Sequence, residues 1–579
     1  MHQPTATPRK SIYYDYKIHP FTAPPELGGE RTTHPVVLVG AGPIGLACAI
    51  DLARHGVPSV ILESELQVSE GSRAIVFTRR SMEILQQVGV ADRISAAGLP
   101  WRFGNSFFRG QRVFRLEAPY DEDDRYWPMI NLQQQYLEEY LVDRAMQEPL
   151  IDLRWGHKVT AIVRNDDAGA ALRVDTPAGE YEIDAEWVVA TDGARSAVRG
   201  MTELRMEGDS YEGRFVIADI RIKLDLPTER MAFFDPVWNP GNTVLMHREP
   251  HDIWRIDYQL PAGESPEDAL RPESLKARID AQLAMIGCPG TPWELDWCSV
   301  YSARAMTLPD YLHKRIVFCG DAAHMLPIFG VRGANTGWQD GHDLAWKLAF
   351  QVRGLAGPAL LPSYSQERVT AAREIIAEAG KSTRFMTPPT HGYRTLRDAT
   401  LSLTLSEDFV KPLLHWRTSR PHDYFSSALN ARDDDDSVFR NGPADGSPIR
   451  NVKLGDAGGG DYLFDHLGAS FYLFCFRTGD ALPDELVAEV AALRARGIPL
   501  SIVAFAADGE AVGGAHFTLD DRAGRAQAKY CDGGQPAAYL VRPDQHVCAR
   551  WIQPTAERLR SAMAAALGHR PHATEEPHA

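Results

Sequence analysis

The stretch 35–64 reads PVVLVGAGPIGLACAIDLARHGVPSVILES. Residues 36–39 are a short apolar run, apt for a buried parallel strand. Gly40, Gly42 and Gly45 follow as G-x-G-x-x-G. Gly40 permits a tight turn, Gly42 lets backbone approach a pyrophosphate, and Gly45 lets the helix pack close to the strand. Residues 46–55 carry helical periodicity, with Gly56 as the stop. A second apolar run, 60–62, ends at Glu63. An acid ~20 residues past the first glycine is placed to accept hydrogen bonds from a ribose. A glycine triplet alone is weak. Strand, triplet, helix, strand and terminal acid in order predict an ADP-binding βαβ unit. A glycine-rich turn without a ligand leaves the acid unexplained.

The 579 residues allow several domains at ~100–200 residues each. A formal charge of -16 without a long basic run argues against nucleic acid and anionic membrane surfaces as partners. No window has the ~18 uninterrupted apolar residues of a spanning helix. The first residues, MHQPTATPRK, lack the apolar core of a signal peptide, so the cytoplasm is the expected location. The seven cysteines include no C-x-x-C, which disfavours disulfide frameworks, metal sites and dithiol chemistry.

Around the first unit the chain divides as follows. Residues 1–34 are an arm with a cluster of Tyr13, Tyr14 and Tyr16, expected to pack rather than wave free. Residues 35–203 hold the first part of the nucleotide-binding domain. Arg73 lies in a loop after its second strand, where a pyrophosphate contact competes with a plain surface role. Gln134 opens an amphipathic helix, with strands expected at 153–163 and 171–175. The strand 186–190 runs into Thr191-Asp192-Gly193, a turn suited to a crevice at the carboxyl edge of a sheet. Over 204–302 strands follow one another without crossover helices, which predicts an inserted antiparallel sheet for the substrate. Residues 303–420 return to the first fold. Here the strand 315–319 meets Gly320-Asp321, and a loop with Pro327 and Gly333 leads into a long helix over 334–352. That helix start offers free N–H groups to an anionic group. Residues 421–447, with the run 433–436 of aspartates, read as a linker, and 448–579 as a last αβ domain.

Three signals occur in fixed order: GAGPIGLACAIDLARHG…ILE, ATDGARSAVR and RIVFCGDAAHMLPIFGVRGANTGWQDGHDLAWKL. Together they resemble the single-component flavoprotein aromatic hydroxylases, nearest the phenol hydroxylase and hydroxyphenylpropionate hydroxylase branches. The resemblance covers 36 to about 551. It implies an α/β fold: a FAD-binding Rossmann-like domain, an inserted antiparallel sheet, and a thioredoxin-like C-terminal domain, here without C-x-x-C. It implies that Gly40, Gly42, Gly45 and Glu63 hold the ADP half of FAD. Arg73 and Gln134 match positions near the pyrophosphate, and Asp192 the aspartate of the Asp-Gly motif. Asp321 matches the residue on the ribityl chain, and Pro327 the one beside the isoalloxazine. Gly333 and Asn335 lie at the helix start under the ring edge. Where the family often has Gly-Gln-Gly-Met-Asn, this chain has Val331-Arg332-Gly333-Ala334-Asn335. Arg332 then holds an anionic substrate or pairs outward.

The resemblance further implies a monooxygenase that uses NADPH or NADH and O2 to hydroxylate a phenolic small molecule through a flavin C4a-hydroperoxide. No metal is expected, and a homodimer is. By the pattern Arg-x-x-x-Gln-Leu, Arg255 and Asp257 match positions that approach the substrate hydroxyl, although the phenol hydroxylase branch has tyrosine at Asp257. Strand alternation puts both on one face, which an exposed ion-pair ladder would also explain. His247 and Tyr211 are further candidates. A reductase or dehydrogenase of the same fold, a halogenase and a flavin-binding scaffold are the rival readings. The halogenase motif Trp-x-Trp-x-Ile-Pro does not occur here.

Overall fold

A computed structural model describes residues 1–261, 263–327, 329–414, 419–431, 439–455, 461–477, 479–507 and 509–569. The aspartate run 433–436 and the side chain of Tyr211 lie outside the described residues. The quoted stretch forms the centre of the first sheet. Thr33–Val39 pairs in parallel with Ser59–Glu63 on one side and Gly179–Ala190 on the other. Ile151–Trp155 and Ile316–Phe318 extend the parallel set outward. Val36–Val39 are buried throughout, as expected of a parallel strand covered on both faces. The strand expected over 153–163 is instead two, Ile151–Trp155 and Lys158–Asp166. The break falls at Gly156, whose φ of 80° suits glycine.

The helices Pro43–Arg54 and Gly333–Val352 pack side by side and run the same way. Ile44 lies against Gly337, Cys48 against Gly341, and His55 against Phe350. A Cβ on Gly337 would come within 2.9 Å of Ile44, so the close approach needs glycine. A buried pair, Asp51 with His342 Nδ1 at 2.7 Å, pins the same seam. Both helices therefore begin at the same end of the sheet.

The second sheet holds Glu294–Thr307, Glu207–Arg221, Ile253–Gln259, Thr243–Glu249 and Arg230–Phe234 as antiparallel neighbours. Two features differ from the expected 204–302 insert. Phe103–Phe108 and Gln111–Glu117 join the sheet, with Phe103–Phe108 parallel to Arg230–Phe234, and the last strand runs on to Thr307. The parallel partners are far apart in sequence, so no local period reveals their pairing. One face buries Val216, Met246, Trp254 and Ile256 against Leu275 and Ile279 of the helix Pro272–Met285.

The C-terminal sheet runs Phe517–Asp520, Leu500–Ala506, Phe471–Phe476, Ala537–Val541, Val547–Trp551. A parallel βαβ half meets an antiparallel ββα half, the arrangement expected of a thioredoxin-like unit. Cys475, Cys531 and Cys548 are buried free thiols within it. The described part of 421–447 is packed rather than loose: Tyr424 and Leu429 are buried. The N-terminal arm also packs. Tyr16 OH accepts from Gly71 N–H, and Tyr136 OH donates to the Tyr13 carbonyl.

Candidate active site

Thr33–Val39 ends at Gly40, whose φ is 103°. A Cβ on Gly40 would sit 2.8 Å from the Thr191 carbonyl oxygen. On Gly45 it would lie 2.2 Å from the Gly40 carbonyl oxygen and 2.6 Å from Thr191 Oγ1. Gly42 differs: a Cβ there meets nothing within 4 Å. Protein packing thus requires two of the glycines, while the third borders open space at the amino end of Pro43–Arg54. A diphosphate laid there would meet unpaired N–H groups and the positive end of the helix. Glu63 accepts from Ala41 N–H at 2.8 Å and from Glu65 N–H at 2.9 Å. It braces the glycine turn, and its two oxygens keep lone pairs for a ribose hydroxyl. Burial raises its pKa, partly offset by those N–H donors.

Asp192, Asp321, Pro327 and Gly333 differ in their surroundings. Asp192 accepts from Val198 N–H at 3.0 Å through Oδ2, while its buried Oδ1 has no protein partner. Asp321 is exposed by area, yet Arg73, Arg199, His324 and Asp340 stand close enough to act on its charge. This is the setting of a group on the floor of an open crevice. Protein crowding raises its pKa, and His324 and Arg73 pull it back. Arg199 clamps the Asp192 and Asp321 turns together, donating to the Ala194 and Ala322 carbonyls at 2.7 and 2.8 Å. Pro327 is buried, and Gly333 opens the long helix with nothing within 4 Å of a notional Cβ. The orphaned Asp192 oxygen, the open Gly42 and Gly333, and the paired helix starts fit a flavin dinucleotide.

Two predicted residues are spent on the protein itself. Gln134 accepts from Ala74 N–H at 2.9 Å and donates to Glu138 at 2.6 Å, which holds the loop carrying Arg73. Asn335 accepts from Thr78 N–H at 2.9 Å and from Ser81 Oγ at 2.6 Å, and donates to the Val76 and Val331 carbonyls. It ties the helix start to the strand Val76–Thr78. Arg332 is buried, donates to the Phe329 carbonyl and pairs with Glu378 at 4.0 Å. Val331, at the position where the family often has glycine, takes φ 54°, a left-handed conformation that costs a β-branched residue about 1–2 kcal/mol.

The second face of the large antiparallel sheet packs on the loop after Pro327 and on Met386 and Leu401. Phe215, Ala232, Phe234 and Leu245 cluster there with Phe329, from the loop after Pro327. Arg255 and Asp257 share this face, both buried, so the exposed ladder does not form. They do different things. Arg255 makes a two-pronged pair with Asp219 at 2.8 Å on both prongs, and also donates to the Ser72 carbonyl. It therefore sews the sheet to the Arg73 loop and belongs to the seam, not to the reacting space. Asp257 Oδ1 has no hydrogen-bond partner. Burial pushes its pKa up to about 7 against the pull of Arg255.

Arg230 and Tyr301 act electrostatically on Asp257 and on each other. Neither was singled out from the sequence. Burial lowers the Arg230 pKa to about 10, and Tyr301 OH is buried without a partner. The available signal was cross-strand register: Phe215 stands opposite both Gln259 and Tyr301, and Ile217 opposite Asp257. His247 lies opposite Arg255 and is held neutral by burial, with Arg230 and Arg255 adding to the effect.

A family model described as FAD binding domain matches residues 33–379. A 3-(3-hydroxy-phenyl)propionate/3-hydroxycinnamic acid hydroxylase of Comamonas testosteroni is 29% identical over 382 residues, covering 66% of this chain and 63% of that protein. One of the same name from Mycolicibacterium smegmatis is 26% identical over 558 residues, covering 91% and 92%. The ternary complex of aklavinone-11 hydroxylase with FAD and aklavinone superposes with a TM-score of 0.74 at 25% identity, covering 93% of this chain and 99% of that one. Among the described residues no helix is long and apolar enough to cross a membrane. With its glycine turn, Asp-Gly turn and Gly-Asp turn gathered at one crevice, the chain belongs to the FAD-binding-domain family, among the flavoprotein aromatic hydroxylases.

Proposed function

We propose that this protein is a NAD(P)H-dependent FAD monooxygenase that adds one oxygen atom from O2 to a phenolic ring. The observation that carries the proposal is Asp257: a buried acid with a free oxygen, on an aromatic wall packed against the loop after Pro327. Bound FAD, reduced by the nicotinamide, supplies the activated oxygen. Gly42 and the start of Pro43–Arg54 hold the diphosphate, and the positive end of Gly333–Val352 favours negative charge on the reduced ring. Phe215, Phe234, Leu245 and Phe329 keep water from the reacting space. Asp257 accepts the phenol proton, making the ring a stronger nucleophile; a phenol of pKa ~10 needs such an acceptor at neutral pH.

The names of the relatives point to a phenol bearing a carboxylate side chain, and the buried Arg230 on the same wall supports an anionic substituent. A homodimer in the cytoplasm completes the reading; the seven free thiols support a reducing compartment, and sedimentation of the purified protein tests the dimer. The deciding experiment follows NAD(P)H loss and product mass across a panel of phenols under labelled dioxygen. One labelled atom in a hydroxylated product is the expected result; reduction without labelled product would sink the proposal. In Asp257→Asn, kcat falls about 10²–10⁴-fold, the usual loss on removing a general base. The wild-type rate should rise as pH passes about 7, where Asp257 ionises; a similar rise in the variant would assign the proton to another group.

A further inference from the structure

The turn between Ala537–Val541 and Val547–Trp551 is buried deep in the flavin-binding part of the chain. Arg542 donates to both Glu367 oxygens, at 2.8 and 2.9 Å, to Asp343 at 3.0 Å, and to Asp544. Lys347 reaches Asp343 at 3.0 Å and Glu367 at 2.5 Å. Arg80 donates to Gln545 at 2.5 Å and to the Asp544 carbonyl at 2.9 Å. Asp343, Glu367 and Asp544 bring carboxylate oxygens within 4.8 Å of one another, as a metal site would. The protein's own cations, Arg542 and Lys347, fill that place. Burial raises the Asp343 pKa, while at Glu367 and Asp544 the attraction of Arg542 outweighs burial and lowers it.

From this cluster the contacts continue inward. Arg368, next to Glu367, donates to Tyr424 OH at 2.7 Å and to Asp340 at 2.6 Å. Tyr424 stacks on His546 of the same turn, with ring centroids 4.4 Å apart. Asp340 in turn holds His324 Nε2 at 2.6 Å and accepts from Gly320 N–H at 3.3 Å. Gly320 precedes Asp321. A buried line thus joins the C-terminal unit to the Gly320-Asp321 turn, by hydrogen bonds and ion pairs except for the covalent step from Glu367 to Arg368 and the ring stack of Tyr424 on His546.

We infer that Arg542 is a positioning residue: through Glu367, Arg368 and Asp340, the C-terminal unit sets the Gly320-Asp321 turn and so the retention of FAD. This gives a thioredoxin-like unit without its dithiol a structural task in the flavin site. The purified holoprotein is compared with Arg542→Met and Tyr424→Phe. The readouts are the rate of FAD release and amide hydrogen exchange over 316–325 in FAD-stripped protein. Arg542→Met should speed both about tenfold, and Tyr424→Phe, which deletes one hydrogen bond but keeps the stacked ring, about threefold. Both readouts unchanged in either variant, whatever its melting temperature, would overturn the inference. Should Arg542→Met fail to fold, Tyr424→Phe decides alone, by the same criterion. Neither readout involves an aromatic substrate, so a wrong substrate assignment leaves this result standing.

Discussion

Two charged side chains on one strand, Arg255 and Asp257, face the same way two residues apart, yet occupy different regions. Arg255 lies in the seam. Its guanidinium is matched by Asp219 and by the Ser72 carbonyl. Asp257 lies on the wall, opposite Ile217 and Leu245, and one of its oxygens goes unmatched. Burial is nearly equal for the two, at 3% and 6% exposure. What separates structure from chemistry here is satisfaction, not depth. A buried charge with full partners fixes geometry, whereas a buried acid lacking one has its proton affinity moved into the working range.

The contrast can be broken most forcefully at the seam. Asp219→Ala leaves Arg255 only the Ser72 carbonyl and the more distant Glu249, 3.7 Å away, and should cost about 3 kcal/mol in urea unfolding, while Asp219→Ala with Arg255→Met recovers much of it. If the single variant is as stable as wild type, the seam reading fails. At the wall the sign reverses. The folded protein keeps a proton on Asp257 up to about pH 7 that the unfolded chain sheds near its ordinary value of 3.8. Between those values folding takes up a proton, so this group lowers stability as pH rises, fully by about 7 to 8. Asp257→Asn should therefore be more stable than wild type above pH 7, by about 2–4 kcal/mol, with the gain fading toward pH 4. Equal stability at both pH values would return Asp257 to an ordinary carboxylate.

Smaller effects sharpen the picture. Arg230→Met should raise KM for carboxylated phenols about tenfold, the size of one lost charged contact, and leave neutral phenols nearly unchanged. Equal changes for both would detach Arg230 from substrate choice. Val331→Gly relieves a left-handed β-branched residue. Its melting temperature should rise by an amount equivalent to about 1 kcal/mol, less the entropy that glycine adds to the unfolded chain.

Much of the first fold was legible because its signals are local. The glycine turn, the acid at Glu63 and the helix over 334–352 depend on neighbours a few residues away, and each forms where its spacing placed it. The pairing of Phe103–Phe108 with Arg230–Phe234 was not legible, since neither segment carries a mark of the other. The site divides likewise. Gly42 and the Asp192 turn are marked by local spacing, and Asp321 by the family resemblance. Asp219, which turns Arg255 into a structural group, stands 36 residues away and is joined to it only by cross-strand register. Gln134 and Asn335 occupy their expected places but spend their amides on the protein, which residue type alone does not reveal.

The glycine-lined crossing of Pro43–Arg54 and Gly333–Val352 has one more consequence. The two rods behave as a single prong-and-stem piece whose tips reach opposite halves of one long cofactor. A bulky change at Gly337 would spread the tips together, so the adenosine end and the ring end would loosen in step. Attempts to refit this protein for another dye or another redox potential should start from the loops around the tips, leaving that crossing alone.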